Sequence, residues 1–218
     1  MIDWSAISNG ATGAGTLVLA LATFAAVRSS NRSARVAERS LLMGMRPVLV
    51  PTRRGDPKEK IWWGDDYYAS LPGGEAIATI DNGNVYLAMS LRNVGNGIGV
   101  LQGWHLTPRD WSPNMDAPDL TDFRPQIRDL YVPSGDMSFW QAGLRDSEDE
   151  QYKLVHKAIE DRQPFTVFLL YSDHEGGQLT VTRFTSVPVG EPTTDERWLA
   201  TASKHWFLDH PVNRWQGN

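Results

Sequence analysis

Apolar and polar residues alternate with a period of two along most of this chain. Val85, Leu87, Met89 and Leu91 are interleaved with Tyr86, Ala88, Ser90 and Arg92, the spacing of a half-buried strand. Residues 75–80, 98–106, 127–132, 137–142 and 178–187 also read as strands, and 165–171 is the most apolar of the set. The connections carry turn chemistry: Asp81-Asn82-Gly83-Asn84, Asn93-Val94-Gly95-Asn96-Gly97, Pro133-Ser134-Gly135-Asp136 and Asp173 to Gly177. Asn-Gly steps supply the positive φ of tight turns. Residues 47–53 lie between two prolines and suit an edge or first strand. Ile61, Trp62 and Trp63 mark a short strand in a long loop, and the proline-rich 107–125 reads as a surface excursion. Helical spacing is expected at 152–162, where Leu154, Val155, Ala158 and Ile159 share a side before Pro164. A last helix is expected at 195–208, with Trp198, Leu199, Ala202 and Trp206 toward the domain. Short strands at regular intervals predict a mainly β domain over 47–218, an immunoglobulin-like antiparallel β-sandwich with one short inserted helix. The Cys-Trp-Cys hallmark of antibody domains is absent, so this expectation rests on patterning.

The beginning follows another rule. No charged residue and no histidine occurs from Trp4 to Val27, and a bilayer core is spanned by about 20 apolar helical residues. Residues 1–27 therefore read as a transmembrane segment. Gly10 with Ala14, and Ala11 with Gly15, form two small-xxx-small pairs whose shallow groove admits a second helix. The alternative is a weakly apolar turn in the headgroup zone.

Past Val27 come Arg28, Arg32, Arg35 and Arg39 against Glu38 alone. At 100° per residue the four arginines fall within about 60° of one another, with Ala34, Ala37, Leu41 and Met45 opposite. Residues 28–46 read as a basic amphipathic helix and linker, ended by Gly44 and Pro47. The stripe suits anionic headgroups or an acidic partner, and it suits plain positive-inside topology equally. That asymmetry predicts a single-pass protein of the plasma (inner) membrane, N-terminus outside and C-terminal domain in the cytoplasm.

Composition narrows the function classes. The net charge is −5 although the first helix is basic, so the domain is acidic and unsuited to nucleic acid. With no cysteine, disulfides, thiolate metal sites and cysteine nucleophiles are excluded. Nine tryptophans in 218 residues suit an aromatic-filled β core.

Candidate chemistry is thin. Asp173-His174-Glu175-Gly176-Gly177 sets two acids about an imidazole, yet adjacent strand residues point to opposite faces and Gly-Gly makes a turn. His205 and His210 are five apart, not the four that put two ligands on one helix face. Ser134 lacks a nucleophile elbow, and Asn93 to Gly99 is followed by no helix whose N-terminus would hold phosphate. Trp62, Trp63, Trp111 and Trp140 are candidates for a stacking platform, against the commoner fate of core packing. No cofactor, metal or catalytic residue is expected.

Four runs, RNVGNGIGVLQGW, RDLYVPSGDMSFWQAGLRD, YSDHEGGQLTVTRF and KHWFLDHP, resemble those of actinobacterial single-pass membrane proteins of unassigned function. The resemblance implies lineage and topology and no reaction. The expectation is a non-catalytic accessory or scaffold subunit whose helix packs on a larger integral membrane complex and whose sandwich docks on that assembly. A lipid-importing ABC transporter, a secretion apparatus and a cell-envelope synthase are candidate hosts. The alternatives are a membrane-tethered enzyme using Asp173, His174 and Glu175, and a ligand-sensing module built on the tryptophan-bearing loops.

Overall fold

The computed structural model describes residues 4–109, 115–190 and 197–209, with the side chains of 4–16, 18, 128 and 129 outside that description. The chain divides into two compact units, 1–44 and 45–218.

The first unit is one helix, α1 (Trp4–Gly44). It stops at Gly44, just before Pro47, which cannot continue it. Leu17, Leu19, Leu21, Phe24 and Val27 are 53–69% exposed. Among the described residues, no helix is long and apolar enough to cross a membrane. The first half of the uncharged run lies outside the described side chains.

The second unit contains eleven strands among the described residues: β1 (Leu49–Pro51), β2 (Glu59–Trp62), β3 (Tyr68–Leu71), β4 (Glu75–Asp81), β5 (Asn84–Asn93), β6 (Gly99–Pro108), β7 (Arg124–Val132), β8 (Met137–Leu144), β9 (Phe165–Ser172), β10 (Thr180–Val189) and β11 (Arg197–Phe207). A second helix, α2 (Glu150–Glu160), precedes β9. Asp149 caps α2, its carboxylate accepting from the Gln151 amide at 2.8 Å.

Nine strands form one sheet, and β2 and β3 make a separate hairpin. The long path runs β8-β5-β4-β11-β10-β9-β6-β7, each pairing antiparallel. The strand β1 continues the β4 side of β5, with Leu49 opposite Asn93. Around a single core the sheet brings inward Leu87 and Met89 of β5, Trp140 of β8, Phe165 and Val167 of β9, Phe184 of β10 and Trp198 of β11. Tyr152, Val155, Ala158 and Ile159 of α2 join that core. The architecture is sandwich-like and antiparallel.

Several local expectations change. The tail expected as a last helix is the strand β11, paired with β10 from Val189↔Arg197 to Thr180↔Phe207. Trp198 and Ala200 are buried and Ala202 packs on the core, so the period that governs is two, and the edge of β10 supplies the ladder. The β5 strand is buried on both faces because the β2–β3 hairpin covers its outer side. Ile61, Trp63, Leu71, Tyr86 and Ala88 form that second cluster. The loop expected around Ile61 thus contains two strands. The excursion before β7 holds a 3-10 turn at Leu120–Asp122.

Two of the turn-like connections close no hairpin. No ladder joins β5 to β6, or β7 to β8, among the described residues. Asn93, fully buried, explains both. Its amide donates to the Asp136 carbonyl at 3.1 Å and its carbonyl accepts from Gly135 at 3.0 Å. Its side chain donates to the carbonyls of Gly97 and Val132, at 2.6 and 2.9 Å. The two connections interlock through this residue, so β8 returns beside β5 and β7 beside β6.

Candidate functional site

The sequence-predicted sites separate. Arg28, Arg32, Arg35 and Arg39 are all exposed on α1, and the first three share one side of the helix with Phe24, Val27 and Asn31. Gly10, Ala11, Ala14 and Gly15 lie within α1, but their side chains fall outside the described residues.

Asp173, His174 and Glu175 do not converge. The Asp173 carboxylate accepts from the amides of Gly177 and Gln178, at 2.8 and 3.2 Å, and thereby closes the β9–β10 turn at Gly176, φ 77°. His174 and Glu175 are exposed. His205 sits on β11 with Nδ1 2.8 Å from the Thr182 hydroxyl, and burial lowers its pKa. His210 lies outside the described residues. Among the described residues no group of three or more His, Cys, Asp or Glu is placed to hold a metal.

Ser134 fastens a turn, its hydroxyl donating to the Gly95 carbonyl at 2.8 Å. The glycines of 93–99 serve close packing: a Cβ on Gly95 would stand 2.2 Å from the Arg46 carbonyl, and one on Gly97 1.8 Å from that of Met45.

The tryptophans lead elsewhere. Trp62 is 48% exposed and Trp63 6%, Trp140 is core, and Trp111 lies outside the described residues. Trp62 and Trp63 wall a cavity of about 420 Å³ with Trp104, Arg124, Gln126, Ile127, Gln141 and Arg145. It lies between β7 and β8, the two ends of the sheet path.

Each wall is held in place. The Trp63 indole donates to the Ala142 carbonyl on β8 at 2.9 Å, and its ring meets Tyr86 edge-on at 5.5 Å. Trp104 meets Trp140 edge-on at 5.9 Å and lies 5.5 Å beneath the Arg124 guanidinium. Trp62 stacks on Tyr68 at 6.2 Å, a cross-strand pair. Arg124 pairs with Asp149, and Arg145 with Asp65 at 2.8 Å. The Tyr86 hydroxyl bond at 2.7 Å, followed by Arg145, holds the Asp65 carboxyl below its usual range. Burial, and then that same bond, raise the Tyr86 phenol.

Two glutamines bridge the opening. Gln126 Nε2 donates to the Gln141 carbonyl at 3.5 Å, and Gln141 Nε2 to the Trp62 carbonyl at 3.3 Å. A carbonyl partner fixes the orientation of each carboxamide. Each Oε1 is left buried without a donor among the described residues. Trp104, Arg124, Gln126, Ile127, Gln141 and Arg145 were not singled out in the sequence. Their relation exists only because β2, β6, β7 and β8 meet, which no local pattern encodes. The arrangement offers a half-apolar recess with amide and guanidinium groups at its rim, suited to holding a ligand. No family model matches the chain, and no curated protein and no solved structure resembles it.

Proposed function

We propose that this protein is a membrane-anchored, non-catalytic accessory subunit whose α1 packs in a bilayer or on a larger integral membrane complex, leaving the β domain to dock on that assembly in the cytoplasm. The observation that supports the reading is the exposure of Leu17, Leu19, Leu21, Phe24 and Val27. A stable helix with five large apolar side chains in water is unfavourable at about 1.5–3 kcal/mol for each side chain left unburied, so lipid or another helix is its natural partner. At 41 residues and about 1.5 Å per residue, α1 is about twice as long as a bilayer core is thick. The arginines follow the apolar run at the depth where anionic headgroups lie. The actinobacterial single-pass resemblance and an immunoglobulin-like descent of the domain belong to this proposal. For the latter, the support is an antiparallel strand set around one aromatic core. The unbroken hydrogen-bonded path differs from the two separate sheets of that fold.

The test is purification of the tagged full chain in mild detergent, with quantitative mass spectrometry of co-eluting membrane proteins. Enrichment of one integral membrane assembly, lost when Leu19, Leu21 and Phe24 are replaced by Ser, is the expected result. A monodisperse monomer that stays in solution without detergent overturns it. A ligand-binding role for the domain is the second reading, supported by the tryptophan-walled cavity.

A further inference from the structure

A sheet path whose two ends meet without pairing leaves backbone groups on both edges. In the described residues β7 forms a backbone ladder with β6 alone, through 124–125 and 130–132, and β8 with β5 alone. Open edges accept an added strand, and proteins commonly bind extended peptides in this way. The strands β1, β2 and β3 are also laddered on one side only, but they are three or four residues long, against nine in β7 and eight in β8. Between β7 and β8, side chains occupy the gap.

The chemistry of those side chains names the guest. A glutamine carboxamide is a primary amide with the donor and acceptor groups of the peptide bond. Gln126 and Gln141 donate to main-chain carbonyls at 3.5 and 3.3 Å, longer than the usual 2.9–3.0 Å. Their Oε1 atoms are buried without donors among the described residues, and a buried acceptor left unpaired is unfavourable. Amide side chains thus stand in for a strand, making its hydrogen bonds poorly and leaving acceptors that peptide N–H groups would satisfy once the seam parts. A sugar fits less well. Trp62 already has Tyr68 stacked on it, and Trp63 and Trp104 are only 6% and 7% exposed, so no broad ring face is open.

Side chains of the guest have places as well. Ile127, on β7 beside the cavity, is 97% exposed, an unusual position for isoleucine in a strand. The recess of about 420 Å³ between Trp62, Trp63 and Trp104 accommodates one large apolar side chain. Arg124 and Arg145 flank it, with side chains 36% and 47% exposed. Each guanidinium carries five N–H donors, beyond what one carboxylate uses, so an acidic residue in the guest is complementary.

We infer that the seam between β7 and β8 is a strand-acceptor groove, which binds an extended, acidic peptide segment of a partner protein by main-chain pairing and seats one of its apolar side chains between Trp62, Trp63 and Trp104. This deepens the accessory-subunit reading by giving the domain its docking site, and it rests on that reading for the partner being part of a membrane assembly.

The test uses the full chain in lipid nanodiscs of phosphatidylcholine and phosphatidylglycerol, and a displayed library of random linear peptides of nine residues, the length of β7. The expected result is enrichment of sequences that alternate apolar and polar residues and carry Asp or Glu. On addition of the synthesised peptide, amide hydrogen exchange should slow in β7 and β8. N-methylation of alternate peptide amides should weaken binding about tenfold or more, the loss of more than about 1.4 kcal/mol. Trp62→Ala and Ile127→Ser, at exposed positions where unfolding is not expected, should each do the same, with the urea midpoint unchanged. No enrichment, binding indifferent to N-methylation, or exchange protection away from β7 and β8 overturns the inference. So does a concentration-dependent dimer that protects the same amides without peptide, because a second copy then fills the seam. A chain that binds peptide but needs no membrane fails the anchoring reading alone. One that remains with its membrane assembly but binds no peptide fails the seam alone.

Discussion

Trp63 joins the β2–β3 hairpin to the rest of the domain, and its replacement separates packing from hydrogen bonding. The side chain is 6% exposed, clusters with Ile61, Leu71, Tyr86 and Ala88, and donates to the Ala142 carbonyl at 2.9 Å. Truncating a buried tryptophan to alanine costs about 3–5 kcal/mol. Loss of a donor to a buried carbonyl would add about 1–3 kcal/mol. That addition is small here, because the void opens onto the neighbouring cavity and water reaches Ala142. The expected loss for Trp63→Ala is therefore about 3–4 kcal/mol. Trp63→Phe keeps most of the apolar contact and loses the N–H, so about 1 kcal/mol is expected. Urea unfolding of the detergent-solubilised full chain, followed by tryptophan fluorescence, measures both. Amide exchange on β5 adds a local readout: exchange there should quicken in the alanine variant and stay near wild type in the phenylalanine variant. If Trp63→Ala costs less than about 1 kcal/mol, the typical net worth of the hydrogen bond alone, the hairpin does not share the domain's cooperative unit. The reading that it buries the outer face of β5 then fails.

Three further outcomes follow from other parts of the domain. Arg46, 8% exposed, pairs with Asp209 through two guanidinium nitrogens and lies 4.6 Å over the Phe207 ring. Arg46→Met and Asp209→Asn should each cost about 2–3 kcal/mol, below the fully buried case because Asp209 keeps some solvent. Their double variant should fall short of the sum by more than about 0.5 kcal/mol, a difference read in urea titrations. Gly97→Ala should cost about 2–3 kcal/mol, since its Cβ would lie 1.8 Å from the Met45 carbonyl; unchanged thermal unfolding would refute the packing role of that glycine. Burial lowers the pKa of His105 and of His205. The unfolded chain then takes up protons first, so stability is full above about pH 6.5 and falls as the pH drops through that value toward the folded ones. His205→Gln should reduce the slope of urea midpoint against pH between about 7.5 and 5.5, the window set by the ordinary imidazole value.

Strands whose inward residues alternate cleanly were legible, and those whose environment is non-local were misread. Val85, Leu87, Met89 and Leu91 identified β5, because a period of two survives whatever covers the other face. Burial of Tyr86 and Ala88 was invisible, since it depends on Ile61, Trp63 and Leu71 arriving from another segment. The β11 segment fits a helical and a strand period equally well, and the edges of β10 and β4 on either side select the strand. Tertiary context overrides a weak local preference in this way. The turn at Asp173 to Gly177 is legible in sequence because its determinant, a carboxylate accepting from amides four and five residues ahead, is local.

The seam shows the limit most clearly. Pro133-Ser134-Gly135-Asp136 has the composition of a hairpin connection, and proximity in sequence favours pairing of the strands it joins. What prevents it is Asn93, forty residues away from Pro133 in the chain. The Asn93 side chain accepts from the amides of Val48 and Gly95, at 3.1 and 3.0 Å. It donates to Gly97 and Val132, so both ends of its carboxamide are filled, as a buried polar group requires. Gly95 and Gly97 are glycine because the 45–48 backbone presses against them. Once that knot is tied, β8 is committed to β5 and β7 to β6, and the facing edges of β7 and β8 have only side chains between them. The candidate binding site is thus a by-product of how the connections are buried. An Asn93→Leu variant, matched in approximate size and unable to make any of the four bonds, should lose peptide binding at the seam together with stability.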